Sequence, residues 1–86
     1  MKWEDVRNQY PDQWIVFEAL QAHTDQDTRY VDELAVIDRF SDSRDAMRRH
    51  HELHKANLTR EYYFFHTSRV ELQIIERKWS GIRGLR

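Results

Sequence analysis

Eighty-six residues make one domain, whose small core leaves little room for a deep cavity. The absence of cysteine excludes disulfides, zinc–thiolate sites and thiol catalysis. No apolar run approaches the ~18 residues of a membrane span, and no apolar stretch follows the first residues, so a cytoplasmic protein without a signal peptide is expected.

Trp3, Val6 and Tyr10 recur at helical spacing, so Met1–Tyr10 predicts a short helical turn that Pro11 stops. Trp14–Leu20 predicts a first strand. Its Ile15, Phe17 and Ala19 face is wholly apolar and should meet the core, whereas Trp14, Val16, Glu18 and Leu20 form a mixed face. The polar stretch Gln21–Arg29 suits an exposed hairpin connection. Tyr30–Phe40 predicts a second strand in which both faces are mixed, which points to an edge position, a bulge or a twist.

Ser41-Asp42-Ser43 supplies N-cap residues for a helix running to about Ala56, with Asn57 as its stop. Ala46, Met47, His50, Leu53 and His54 form its apolar stripe, and Arg48, Arg49, Glu52 and Lys55 face outward. The four successive aromatics of Tyr62–Phe65 predict a third strand over Arg60–Thr67, covered on both faces and serving as the strand on which the rest packs. A helical crossover then gives the strand order two-one-three. Beyond it the signals conflict. Ser68 and Glu71 have capping-box spacing, Val70, Leu72 and Ile74 alternate as a strand would, and Ile75 and Trp79 are one helical turn apart. Residues 80–86 read as a flexible basic tail. The fold class is therefore α+β: a small mixed, mostly antiparallel sheet of three or four strands with one main helix on one face.

Charge is unevenly placed. Residues 1–45 hold five Lys/Arg against eleven Asp/Glu, and residues 46–86 hold nine against four. The simpler reading is that the halves neutralise each other or stack head-to-tail; the sharper one is an anionic partner for the basic half.

Four constellations invite chemistry. His50 and His54 share a helix face and could reach one metal ion, but His51-Glu52-Leu53-His54 is one residue short of a zincin motif, and amphipathic packing explains the pair without metal. His66-Thr67-Ser68-Arg69 places imidazole, hydroxyl and guanidinium at a strand end, with His66 and Ser68 the expected neighbours; a capping turn is the simpler account. Trp79, Ile82 and Arg83 combine an apolar anchor with a basic tip, suited to a partner groove. Arg48, Arg49, Lys55 and Arg60 could contact phosphates, yet the pI of about 6.5 lies below the basic range of nucleic-acid binders.

Tyr10-Pro11-Asp12-Gln13-Trp14, Ala22-His23-Thr24, Phe65-His66-Thr67-Ser68-Arg69 and Trp79-Ser80-Gly81-Ile82-Arg83-Gly84 together resemble a family of small uncharacterised bacterial proteins. The resemblance spans almost the whole chain. It implies a compact cytoplasmic bacterial domain and carries over no catalytic or binding residue.

The expectation is a non-catalytic protein-interaction module, accessory or antitoxin-like, with no cofactor. Its partner is an unidentified protein or a second copy, and its contacts are Arg69, Trp79, Ile82, Arg83, Arg48 and Arg49. A nucleic-acid-binding regulator is the first alternative and a histidine-based metal enzyme the second.

Overall fold

The computed structural model describes residues 1–75. Helix α1 (Trp3–Gln9) precedes a long hairpin of β1 (Trp14–Asp25) and β2 (Thr28–Phe40). Helix α2 (Ser43–Ala56), β3 (Tyr62–His66) and β4 (Gln73–Ile75) follow. The four strands form one antiparallel sheet of order β3-β1-β2-β4. This is the expected α+β architecture, with the third strand beside the first.

As the order two-one-three requires, the aromatic β3 lies at an edge, and β1 and β2 are the inner strands. The strand on which the rest packs, however, is β1 and not β3 as expected. β1 earns the central place through Ile15, Val16 and Phe17, which are fully buried, whereas Tyr63, Phe64 and Phe65 are only partly covered. A run of aromatics signals apolar surface to be packed, not a position in strand order.

The hairpin is also longer than its hydropathy indicates. Gln21–Asp25 and Thr28–Arg29 continue the ladder, and only Gln26 and Asp27 form the turn. Both turn residues have positive φ (50° and 66°), which suits the right-handed twist of a two-residue hairpin. Polar residues pair here because the ribbon projects past the core and both faces are solvated. Register shifts at Val16/Phe17, Ala19/Gln21 and Gln21/Ala22 account for the mixed faces read from β2.

Two layers cover the sheet. α2, capped by Asp42 through the Arg44 N–H, lies on the face of Val16 and Phe64. Its buried stripe is narrow: Ala46 is fully buried and His50 and Leu53 partly so, while Met47 and His54, expected inside, are exposed. The opposite face, expected to be open, carries the main core. There Trp3 and Val6 of α1 join Ile15, Phe17, Leu34 and Leu72. Residues 67–75 are turn and extended chain ending in β4, so the alternation of Leu72 and Ile74 prevails over the capping-box spacing at Ser68. No helix among the described residues is long and apolar enough to cross a membrane. Trp79, Ile82 and Arg83 lie outside the described residues.

Candidate interaction groove at the edge strand

The segment after β3 is shaped by bonds that local sequence does not announce. Asp12 adopts φ 56°, a left-handed conformation that Asp tolerates, and so turns the chain from Pro11 into β1. Gln13 and Thr67 then clasp each other. The Thr67 N–H donates to the Gln13 carbonyl (2.9 Å), and the Gln13 N–H donates to Thr67 Oγ1 (3.1 Å). The Thr67 carbonyl accepts from Arg7 Nε (2.9 Å), so this buried residue has its polar groups satisfied. Two residues on, the Arg69 carbonyl accepts from the Trp3 indole N–H (2.8 Å). α1 thereby holds the turn that presents His66, Ser68 and Arg69.

Within that turn, the Ser68 backbone N–H donates to His66 Nδ1 (3.1 Å). A backbone N–H can only donate, so Nδ1 carries the lone pair, and the Ser68 hydroxyl, 2.9 Å away, donates to it as well. The ring proton of neutral His66 then sits on Nε2, 3.4 Å from the almost fully exposed Asp12 carboxylate. The expected His66–Ser68 pairing is present. Both Ser68 donors converge on one nitrogen, which locks the turn in the manner of a cap.

Aromatic rings line up beside it. His54, His50, Phe64, Trp14 and His66 form a continuous row with successive centroids 5.2–6.3 Å apart. The Arg69 guanidinium lies 5.0 Å from the Phe65 ring centre, within cation–π range. Trp14, Phe64, Phe65, His66, Ser68 and Arg69 line an open groove of about 600 Å³, with no carboxylate among the described residues of its wall.

The groove runs along the outer edge of β3. The Ala19 N–H donates to the Glu61 carbonyl and the Thr67 N–H to that of Gln13, so odd-numbered residues of this segment bond toward β1. Tyr62, Phe64 and His66 consequently direct their backbone groups outward. His50 Nε2 donates to the Tyr62 carbonyl (2.9 Å), and the Arg69 N–H donates to that of His66 (3.1 Å). The N–H and C=O of Phe64 between them have no partner among the described residues.

At the start of β3, Glu61 accepts two parallel bonds from Arg29 (3.0 and 2.9 Å) and one from the Tyr63 hydroxyl. The Arg29 bonds hold the Glu61 carboxyl below the usual carboxylate range. Burial, then the hydrogen bond and charge of Glu61, push the Tyr63 phenol well above its ordinary value.

The other sequence-derived positions fall elsewhere. Arg48 faces Asp45 (3.5 Å), and Arg49 bridges Asp38 (3.2 Å) and Glu52 (3.4 Å), so both expected anion contacts already have acidic neighbours. A second depression of about 450 Å³, over Trp3 and Leu72, carries Glu4, Asp25, Asp32 and Glu71. Among the described residues, no three His, Asp or Glu side chains converge as a metal site would require. Sequence reasoning singled out His66, Ser68 and Arg69, and the aromatic run that contains Phe64, but missed Trp14 and Asp12. Only the Pro11-Asp12 turn signal hinted at them. No protein-family model, curated protein or solved structure matches the chain.

Proposed function

We propose that the chain is a non-catalytic interaction module of the bacterial cytoplasm that takes an extended segment of a partner protein along the outer edge of β3. The observation that carries this reading is the outward N–H and C=O of Phe64, without a partner among the described residues, beside an aromatic-walled groove. Main-chain pairing at an exposed edge supplies affinity, and pockets for alternate side chains supply specificity. The preferred segment carries an aromatic or aliphatic side chain for the groove of Trp14 and Phe64. It also carries a carboxylate for Arg69, because the described residues of that wall hold a guanidinium and no acid. The bonds on the Tyr62 and His66 carbonyls blunt both ends of the edge, which favours a short, specific pairing over indefinite sheet growth.

The test is capture of a protein partner from cell extract, followed by hydrogen exchange and mutation. Binding should slow exchange at the Phe64 amide, and Arg69→Glu should weaken the complex at least about tenfold, equivalent to ~1.4 kcal/mol. A partner that leaves Phe64 unprotected and is indifferent to Arg69→Glu would overturn this assignment. Capture of nucleic acid whose affinity falls steeply with salt would replace it with the regulator reading.

A further inference from the structure

α2 carries three histidines, and the fold treats them differently. His50 and His54 lie one turn apart on one side of the helix, with ring centres 6.3 Å apart and planes parallel to within 2°. His50 is half-buried against Phe64, at 5.3 Å between ring centres. Its Nε2 lies 2.9 Å from the Tyr62 carbonyl oxygen. A carbonyl can only accept, so Nε2 bears the proton and Nδ1 is left with its lone pair. Metal-binding imidazoles are oriented in this way: one ring nitrogen donates to a backbone carbonyl or carboxylate, and the other faces the ion. His54 is exposed, and no hydrogen bond among the described residues restrains its ring.

The spacing is close to that of a shared ion. With metal–nitrogen bonds of ~2.0–2.1 Å and a ring nitrogen roughly 1.1 Å from its centroid, two imidazoles on one ion have centroids about 4.5 Å apart at a right-angled N–metal–N and about 5.2 Å at a tetrahedral one. The observed 6.3 Å is about 1 Å wider, so the exposed His54 side chain swings toward His50 to bring its nitrogen onto the ion. His54 also lies in the last turn of α2, where the helix dipole favours positive charge.

We infer that His50 and His54 form an open two-imidazole chelate for a borderline divalent transition ion. Among the described residues no third side chain completes the set, so the remaining positions are open to water or a further donor. All-nitrogen ligation selects Cu²⁺ first, then Ni²⁺ and Zn²⁺, and disfavours Ca²⁺ and Mg²⁺, which require oxygen donors. His51, exposed and adjacent in sequence, lies outside the chelate.

The experiment is a calorimetric titration of the untagged protein with Cu²⁺, Ni²⁺ and Zn²⁺ near neutral pH, alongside His50→Ala, His51→Ala and His54→Ala. One ion should bind per chain. His54→Ala should weaken binding by about 100-fold or more, because a single imidazole loses the effective-concentration advantage of two. His51→Ala should bind as the parent does. Since His54 is exposed, its variant should keep the fold, which circular dichroism checks. Zn²⁺ should also raise the melting temperature of the parent and not that of His54→Ala. Unchanged affinity in His54→Ala, an equal loss in His51→Ala, or several weak ions per chain, which is adventitious binding only, would each overturn the chelate.

Discussion

Glu61 shows what one side chain does when three donors converge on it. Its carboxyl is held below the ordinary range by Arg29, so its contribution is fully present above the unfolded carboxylate pKa of ~4.3 and is lost as pH falls through the lower folded value. Glu61→Gln should cost about 1–2 kcal/mol at neutral pH and remove this part of the acid dependence, read from urea midpoints measured as pH is lowered. Tyr63 acts at the other end of the scale. Its raised pKa means that stability is present below the unfolded value of ~10 and lost as pH rises through the folded one, so Tyr63→Phe should flatten the alkaline limb. Trp3 is a second informative residue. Trp3→Phe keeps an aromatic ring in the core but leaves the Arg69 carbonyl without its indole donor. A loss of about 1–3 kcal/mol is expected in the same denaturation experiment.

Among the elements, β3 separates what the sequence makes legible from what it does not. Its existence and type follow from Tyr62–Phe65, and the Asp42-capped helix before it follows from Ser41-Asp42-Ser43 and the apolar stripe. Its edge position follows from the helical crossover that sets the order two-one-three. That β1 rather than β3 anchors the core does not follow, because it depends on β1 offering Ile15, Val16 and Phe17 to both faces at once, a comparison between segments that no local pattern records. The extension of the hairpin to Asp25 was hidden for a related reason, because hydropathy reports burial and Gln21–Asp25 is exposed apart from the half-buried Ala22. The groove was legible only in part: Arg69 stands out by type, but Trp14 reaches it through the Gln13–Thr67 clasp, which joins residues 54 apart in the chain. Hydrogen exchange tests the edge directly, since in the free protein the Tyr62 and Phe64 amides should exchange fast while those of Tyr63 and Phe65 are protected. At the far end of the hairpin, Gln26→Asn should stabilise the fold by roughly 0.5 kcal/mol, because Asn accepts positive φ more readily than Gln.

Across the whole molecule, the division of charge is partly resolved inside the fold. Arg49 meets Asp38 and Arg60 meets Glu18, each joining the basic half to the acidic one, while the Arg29–Glu61 pair runs in the opposite sense. The core is equally a joint product of both ends, since Trp3 and Val6 pack with Leu72 over Ile15, Phe17 and Leu34. Deleting residues 1–9 should therefore expose that face and leave a chain that binds a hydrophobic dye and has lost its near-ultraviolet circular dichroism, rather than a trimmed native domain.

The meeting of Trp3 with Leu72 and Arg69 also governs when the protein can fold. During synthesis α1 and the hairpin emerge first, yet the surface that covers them is made some sixty residues later. Until Leu72 has cleared the ribosome, the nascent chain holds Trp3, Ile15 and Phe17 without their full cover, and in that interval it is a natural client for chaperones that recognise short apolar stretches.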